Sequence, residues 1–444
     1  MKFILKICWA ATCLGMTEVG FAQNPFISGQ YTADPTARVF NDSLYVYPSH
    51  DVPCKEGQGF IGFCMPDYHV FSTTDLTNWT DHGVILGQEE VDWVDSTSYS
   101  MWAPDCIEKN GKYYFYFPAR DTTNEYHIGV AISETPYGPF VPQKKPIEGV
   151  VGIDPGLFVD KDGQAYLYWQ NGEFEESLTV AKLSDDMLKI VTKPQVIPTV
   201  KGFVEGPFVF ERKGNYYLTY PNVINKTERI VYAMGKSPMG PFEYKGVIMD
   251  ESPTKCWTNH HSIVKYNGQW YFFYHHNDYS PHFDKNRSIR ADSLFFNADG
   301  TIEKITPSWR GVGITNAKSK IQVDRYSDIA EKGAAVHYLD TTDYFKGWKV
   351  KFDTPKAWVR YNQVSFANEK VKKVTVWVKS KSTGELEIRR GKMDGTVLAN
   401  VNINKGEDWQ EVSAKLKEKP AGNEDIFIIM KNAGEIELDW ICFK

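Results

Sequence analysis

Asn110-Gly111-Lys112-Tyr113-Tyr114 is a tight turn opening into an aromatic strand, and the chain writes this phrase five times. The other copies are Asn41-Asp42-Ser43-Leu44-Tyr45, Asp162-Gly163-Gln164-Ala165-Tyr166, Lys213-Gly214-Asn215-Tyr216-Tyr217 and Asn267-Gly268-Gln269-Trp270-Tyr271. From Asp42 through Gly111, Gly163 and Gly214 to Gly268 the steps are 69, 52, 51 and 54 residues. The Asn-Gly, Asp-Gly and Lys-Gly pairs supply the positive φ that two-residue hairpins demand. The runs Tyr113–Phe117, Tyr166–Trp169, Tyr216–Tyr220 and Trp270–Tyr274 read as half-buried strands of period two. A second echo, Ser133-Glu134-Thr135-Pro136-Tyr137-Gly138-Pro139-Phe140 and Ser237-Pro238-Met239-Gly240-Pro241-Phe242, marks an outer strand and its loop, with a looser copy at Ser72–Trp79. Helical periodicity is nearly absent. Strand-turn-strand units of this period predict an all-β chain led by a five-bladed β-propeller over residues 24–315.

A polar residue precedes each turn by six to nine positions: Asp34, Asp105, Asp154, Glu205 and His260. In a radial fold an equivalent position in every blade points at the shared axis, so acids far apart in sequence converge on one pocket. Asp34, Asp154 and Glu205 each follow an apolar residue and precede Pro or Gly, as expected where an inner strand begins. Glycosidic cleavage needs two carboxyl groups flanking the bond, one protonated and one ionised. A third acid raises the proton donor by like-charge repulsion. Glu reaches farther than Asp, so the reading is Glu205 as general acid, Asp34 as general base and Asp154 as pKa modulator.

The remaining composition narrows the class. A net charge of −6 argues against nucleic acid as a partner, and 14% aromatic residues suit both strands and sugar faces. Lys2 and Lys6, an apolar run from Ile7 to Met16 and Gly20-Phe21-Ala22 read as a signal peptide over residues 1–22. Secretion or a periplasmic location follows, ahead of lipid anchoring at Cys13, whose Ala10-Ala11-Thr12 is a poor lipobox. No stretch is long enough to span a membrane. Cys54, Cys64, Cys106, Cys256 and Cys442 then remain, an odd set without a zinc pattern, in which Cys54 and Cys64 could bridge one loop. Beyond a polar stretch at 315–323, residues 324–444 change texture. The strands Lys373–Val378, Leu386–Arg389, Val397–Ile403 and Ile426–Met430 lack the Gly-Tyr phrase and fit a β-sandwich or jelly roll.

Asp34, Asp154 and Glu205 in this order, together with Trp102-Ala103-Pro104-Asp105 and Asn259-His260-His261-Ser262, resemble glycoside hydrolase family 43. The resemblance spans about residues 26–315. It implies a five-bladed propeller that inverts configuration through base, modulator and acid, with no cofactor required. It places His260 on the propeller axis, beside a structural calcium or a water; locally His260 reads equally as a hydrogen-bonded core residue. Trp102 becomes a wall of the sugar pocket and Asp105 a structural anchor. Arg287 resembles the family's arginine that reaches a sugar hydroxyl or the modulator; a surface salt bridge is its other reading. Adjacent strand residues point oppositely, so His275-His276-Asn277-Asp278 is not read as a metal cluster. The C-terminal segment resembles carbohydrate-binding module family 6 through Gln322–Tyr326, Ala357–Tyr361, Asp408-Trp409-Gln410 and Leu438-Asp439-Trp440. Glu437 stands where many such modules carry a sugar-contacting asparagine, so Trp358, Trp409 and Trp440 read as structural first and sugar-binding second.

The resulting expectation is an inverting, exo-acting hydrolase of oligo- or polysaccharides. It releases terminal pentoses from plant side chains such as those of xylan and arabinan, α-L-arabinofuranose ahead of β-D-xylose. Endo-acting arabinanase or xylanase, galactofuranosidase or galactosidase, and a non-catalytic sugar-binding propeller are the alternatives. A fructan-cleaving propeller would carry Asn-Asp-Pro where this chain has Ala33-Asp34-Pro35.

Overall fold

The computed structural model describes residues 23–172, 177–199, 201–367, 369–432 and 434–444. The expected signal peptide and Cys13 lie outside the described residues. Five antiparallel sheets follow one another along the chain, spanning 33–87, 105–142, 152–196, 208–249 and 262–294. The first four have four strands in sequential order, and the fifth has three. Each predicted Gly-Tyr phrase is the hairpin between the first and second strands of its sheet, with Asn110, Lys213 and Asn267 at φ of 55°, 50° and 47°.

Five apolar clusters fill the seams between successive sheets, and this closes the ring. Tyr47, Tyr68 and Phe115 join blades 1 and 2, while Tyr116, Leu157 and Trp169 join blades 2 and 3. Tyr168 and Tyr220 join blades 3 and 4, Phe210 and Phe272 join 4 and 5, and Val46 and Phe273 return from 5 to 1. The second strands read as half-buried in the sequence, but both of their faces are packed. Tyr113, Phe115 and Phe117 enter one seam, and the intervening Tyr114 and Tyr116 enter the next. That is why these strands are nearly all aromatic rather than alternately polar. The second echo is the loop between third and fourth strands, where the buried Tyr47 and Tyr168 hydroxyls donate to the carbonyls of Pro136 and Pro238.

Blade 5 has no fourth strand among the described residues. The side-chain amide of Asn24 occupies part of that edge, accepting from Ala291 N and donating to Ala291 O. Blade 1 is bound to blade 5 by Ser262 Oγ, which accepts from Ala37 N and donates to Pro35 O.

Residues 315–443 form two facing six-stranded sheets over one apolar core that includes Val376, Leu386, Ile428 and Leu438. The polar stretch at 315–323 belongs to this sandwich: Thr315–Asn316 pairs with Val364–Ser365, and Ile321–Gln322 pairs with Trp440–Ile441. Trp377 stacks between Trp440 and Trp409 at 6.2 and 6.3 Å, outside that core, and Trp358 packs on Phe427. Glu437 is held by Lys349 Nζ at 3.0 Å. Arg325 joins the two units, donating to the carbonyls of Asn24 and Pro25 and lying over Trp348.

Candidate active site

The inner strands of blades 1 and 3 carry the same irregularity. Pairing slips by a residue between Ala33 and Thr36 in blade 1 and between Tyr168 and Gln170 in blade 3. In these bulges Asp34 and Asp154 take φ of 48° and 58°. A bulge re-aims a side chain, and a non-glycine residue in the left-handed region is strain of the kind held at functional sites. Here both bulges deliver a carboxylate to the axis. Glu205 comes from the loop ahead of the inner strand of blade 4. It precedes Gly206, at φ +61°, where a Cβ would approach His260 Nδ1 and Pro221 to 3.0 Å.

One pocket of about 240 Å³ brings together Asp34, Asp154, Glu205, Trp102, His260 and Arg287. Asp105 is not among its lining residues. Its buried carboxylate takes Arg38 Nε at 3.0 Å and the Cys106 and Leu157 amides at 2.7 and 2.6 Å, tying blades 1, 2 and 3 together as a structural acid should.

Asp34 sits in a cationic, donor-rich corner. Arg287 donates to it through both terminal nitrogens, at 2.7 and 3.1 Å, and Ser49 Oγ donates at 2.8 Å. Burial pushes its carboxyl up, but the Arg287 guanidinium, helped by the Ser49 hydroxyl, outweighs that, so Asp34 titrates below the ordinary carboxylate value. A carboxylate has about four lone-pair sites. Among the described residues three are occupied, and the one left is on Oδ1. Arg287 has no capacity left for a sugar: Asp51 takes its Nε and second terminal nitrogen at 3.0 Å each, and Thr258 Oγ1 takes the remaining donor of the first terminal nitrogen at 3.2 Å. The sequence reading offered Arg287 to a hydroxyl, the modulator or a surface ion pair. The structure gives it to Asp34 instead, 2% exposed, because the strand that follows it in blade 5 flanks blade 1.

Asp154 sits in the opposite field. Burial, then Glu205, then Asp34 push its carboxyl well above the ordinary range, and among the described residues its one strong donor is Gly206 N at 3.0 Å. Asp154 and Glu205 disfavour each other's negative charge, so a proton is held on this acid pair at pH values where an ordinary carboxyl has lost it.

His260 Nδ1 lies 3.7 Å from Asp154 Oδ2, and burial holds the imidazole neutral. It offers one nitrogen, whereas calcium takes about six to eight oxygens. Asp154, the carboxyl beside it, is pushed toward its protonated form and Asp34 is committed to Arg287, so these residues do not by themselves build a calcium cage.

Several contributors carry no motif. His275 is buried, its Nδ1 accepting from Asp34 N at 3.1 Å while Nε2 meets the Thr258 carbonyl at 3.1 Å. Burial and Arg287 lower it to about 3, so it is the neutral anchor of the blade 1 bulge. Asp51 is the counter-ion behind Arg287. A disulfide joins Cys54 and Cys64, and the loop it staples brings Phe60, Ile61 and Phe63 into the pocket wall, which Trp257 also lines. The cysteine spacing signalled that staple. Glu228 is fully buried under the site, with Oε2 accepting from Asn259 N at 2.5 Å. Burial and the nearby Glu205 push it well up.

A family model for glycosyl hydrolases family 43 matches residues 22–302, and one for carbohydrate binding module family 6 matches 328–444. The chain is 38% identical to xylosidase/arabinosidase 43A of Humicola insolens, over 63% of this chain and 98% of that protein. It is 26% identical to the arabinoxylan arabinofuranohydrolase of Bacillus subtilis, over 97% and 93%. A solved family 43 β-xylosidase/α-arabinofuranosidase from a compost metagenome, bound to xylotriose in its calcium-free form, aligns at TM-score 0.59 with 38% identity, over 65% of this chain and 98% of that one.

Proposed function

This chain belongs to glycosyl hydrolases family 43 and is an exo-acting glycoside hydrolase, and we propose that it inverts configuration while releasing terminal α-L-arabinofuranose or β-D-xylose from plant polysaccharide side chains. The observation that carries this reading is the pair of opposite fields on Asp34 and on Asp154 with Glu205 within one small pocket.

In the proposed reaction a water bound at the free lone pair of Asp34 Oδ1 gives its proton to that carboxylate and attacks the anomeric carbon. Glu205 protonates the departing glycosidic oxygen from the other face, as inversion requires. Asp154 keeps a proton on the acid pair and, through Gly206 N, positions the loop carrying Glu205. Trp102, Phe63 and Trp257 exclude water and offer apolar faces to the sugar ring. The cavity is smaller than the ~300–1,000 Å³ of pockets that enclose drug-sized ligands, which favours one terminal ring over a polysaccharide stretch.

The relatives named for both sugars widen the preference to xylose as well as arabinofuranose. Export through the N-terminal signal is part of the proposal, and the Cys54–Cys64 disulfide suits an oxidising compartment. NMR-followed hydrolysis of aryl α-L-arabinofuranoside and aryl β-D-xyloside is the test. Inverted sugar should appear first from at least one of them. Retained configuration overturns the mechanism, and release from neither overturns the substrate class.

A further inference from the structure

We propose that blade 1 carries a binding site for a zinc-type divalent transition metal, formed by His50 Nδ1, His69 Nε2 and Asp67 Oδ1. One ligand atom from each of the three residues lies within 4.8 Å of the other two. His50 Nδ1 is 2.7 Å and His69 Nε2 3.9 Å from the same Asp67 oxygen. A tetrahedral zinc with bonds of about 2.0–2.2 Å holds its ligands roughly 3.3 Å apart, so small side-chain adjustments bring all three onto one ion. Their side chains are 20%, 15% and 19% exposed, which leaves a path for the ion and an open fourth position for water.

The outer shell supports this reading. His69 Nδ1 lies 3.1 Å from Asp81 Oδ1, which also accepts from Gly83 N at 2.7 Å, while Asp81 Oδ2 accepts from Gln30 Nε2 at 3.1 Å. A carboxylate so fixed holds the proton on Nδ1 and turns the Nε2 lone pair outward, the carboxylate–histidine–metal arrangement. Nε2 then faces the Asp67 oxygen lone pair across a gap suited to a cation. The second close group, Asp121, Glu125 and His127, is built differently. Its Asp121 Oδ1 already accepts from Thr123 N, Thr123 Oγ1 and Glu125 N, capping its own loop.

Two imidazoles and one carboxylate select zinc, nickel or copper over calcium or magnesium. His50 lies between Ser49, which donates to Asp34, and Asp51, which holds Arg287. An ion at His50 therefore pins the backbone that supports the proposed base.

The test is calorimetric titration of metal-stripped full-length protein with ZnCl2 and CaCl2, paired with thermal melts. One zinc should bind and raise Tm, with calcium giving no heat at this site. His69→Ala and Asp67→Asn, checked for native circular dichroism, should each abolish that binding. Asp81→Asn should weaken it ~10–100-fold by loosening the outer shell. Asp34→Asn should leave it unchanged. No zinc binding to the wild type overturns the proposal. So does binding that survives His69→Ala, or binding lost in His127→Ala instead.

Discussion

The tops of blades 1 and 3 are built alike and charged oppositely. Each opens with a bulge, each bulge holds an aspartate in the left-handed region, and each aspartate is 4% exposed in the same pocket. Yet Asp34 is held below the ordinary carboxylate range and Asp154 well above it. The difference comes from the next blade around the ring. Blade 5 lends blade 1 a guanidinium and a neutral imidazole acceptor, and blade 4 lends blade 3 another carboxylate. The repeat supplies geometry, and the seam between blades supplies charge.

Removing the charge on the blade 1 side should have the largest effect. Asp34→Asn keeps the shape and the Ser49 contact but cannot take a proton from water. Turnover should fall by ~10²–10⁴-fold, the usual contribution of a positioned base, for activated and unactivated leaving groups alike. Steady-state kinetics on aryl glycosides of differing leaving-group pKa checks this. A loss confined to poor leaving groups would reassign Asp34 as the acid.

Arg287→Met attacks the same asymmetry from behind. Two buried carboxylates, Asp34 and Asp51, lose their cation, a change that costs about 3–5 kcal/mol when a buried pair is broken. With its counter-ion gone, Asp34 should titrate higher, so the acid limb of kcat/KM moves up in pH. Urea melts and a pH–rate profile separate the two effects; a destabilised enzyme with an unmoved acid limb would mean Arg287 does not tune Asp34.

The sequence was legible where geometry repeats. Gly-Tyr phrases counted the blades, and the polar position before each one found Asp34, Asp154 and Glu205, because a radial fold converts periodicity into convergence. It was opaque where the seam acts. Arg287 had no periodic partner, and only the closed ring brings it to Asp34 and Asp51, 253 and 236 residues away. His275 was hidden inside a strand whose two histidines look equivalent until one is found anchoring a bulge. The all-aromatic strands suggested burial, but burial on both faces needs a neighbouring blade on each side.

On the blade 3 side, Asp154→Asn removes the like charge while leaving an acceptor for Gly206 N. The acid pair then releases its proton at lower pH, so the alkaline limb should shift downward. A fall in kcat of roughly 100-fold near neutrality is expected, at the lower end of general acid contributions. An alkaline limb that stays in place would show that Asp154 does not raise the acid.

Acid should loosen blade 1 before blade 3. His275 titrates at about 3 in the folded chain against 6.5 ordinarily, and burial also depresses His260, His261 and His276. Unfolded chains bind the extra protons, so this contribution is complete above pH 6.5 and is lost as pH falls from there toward 3. Each such group is worth about 1.4 kcal/mol per pH unit inside its window. Protonated His275 can no longer accept from Asp34 N. Hydrogen-exchange protection factors, which divide out the slower intrinsic exchange in acid, should therefore fall between pH 7 and pH 4 at the Asp34 amide more than at the Asp154 amide, and an equal fall would dissolve the distinction.

The smallest effect should come from Glu228, a third carboxyl pushed upward by burial and by the same Glu205 that raises Asp154. It is buried, its Oε2 takes Asn259 N, and Oε1 has no hydrogen-bond partner among the described residues. An ionised carboxylate so placed would be costly, whereas a neutral acid there needs only the Asn259 contact. Glu228→Gln reproduces the neutral acid in shape and accepting oxygen, so kcat should change less than about threefold, within ~0.7 kcal/mol, and the alkaline limb should stay put. Glu228→Gln behaving like Asp154→Asn would mean that Glu228 is charged at neutral pH. The proton would then be shared among three carboxyls, and the blade 3 field would owe as much to blade 4 beneath the pocket as to Glu205 within it.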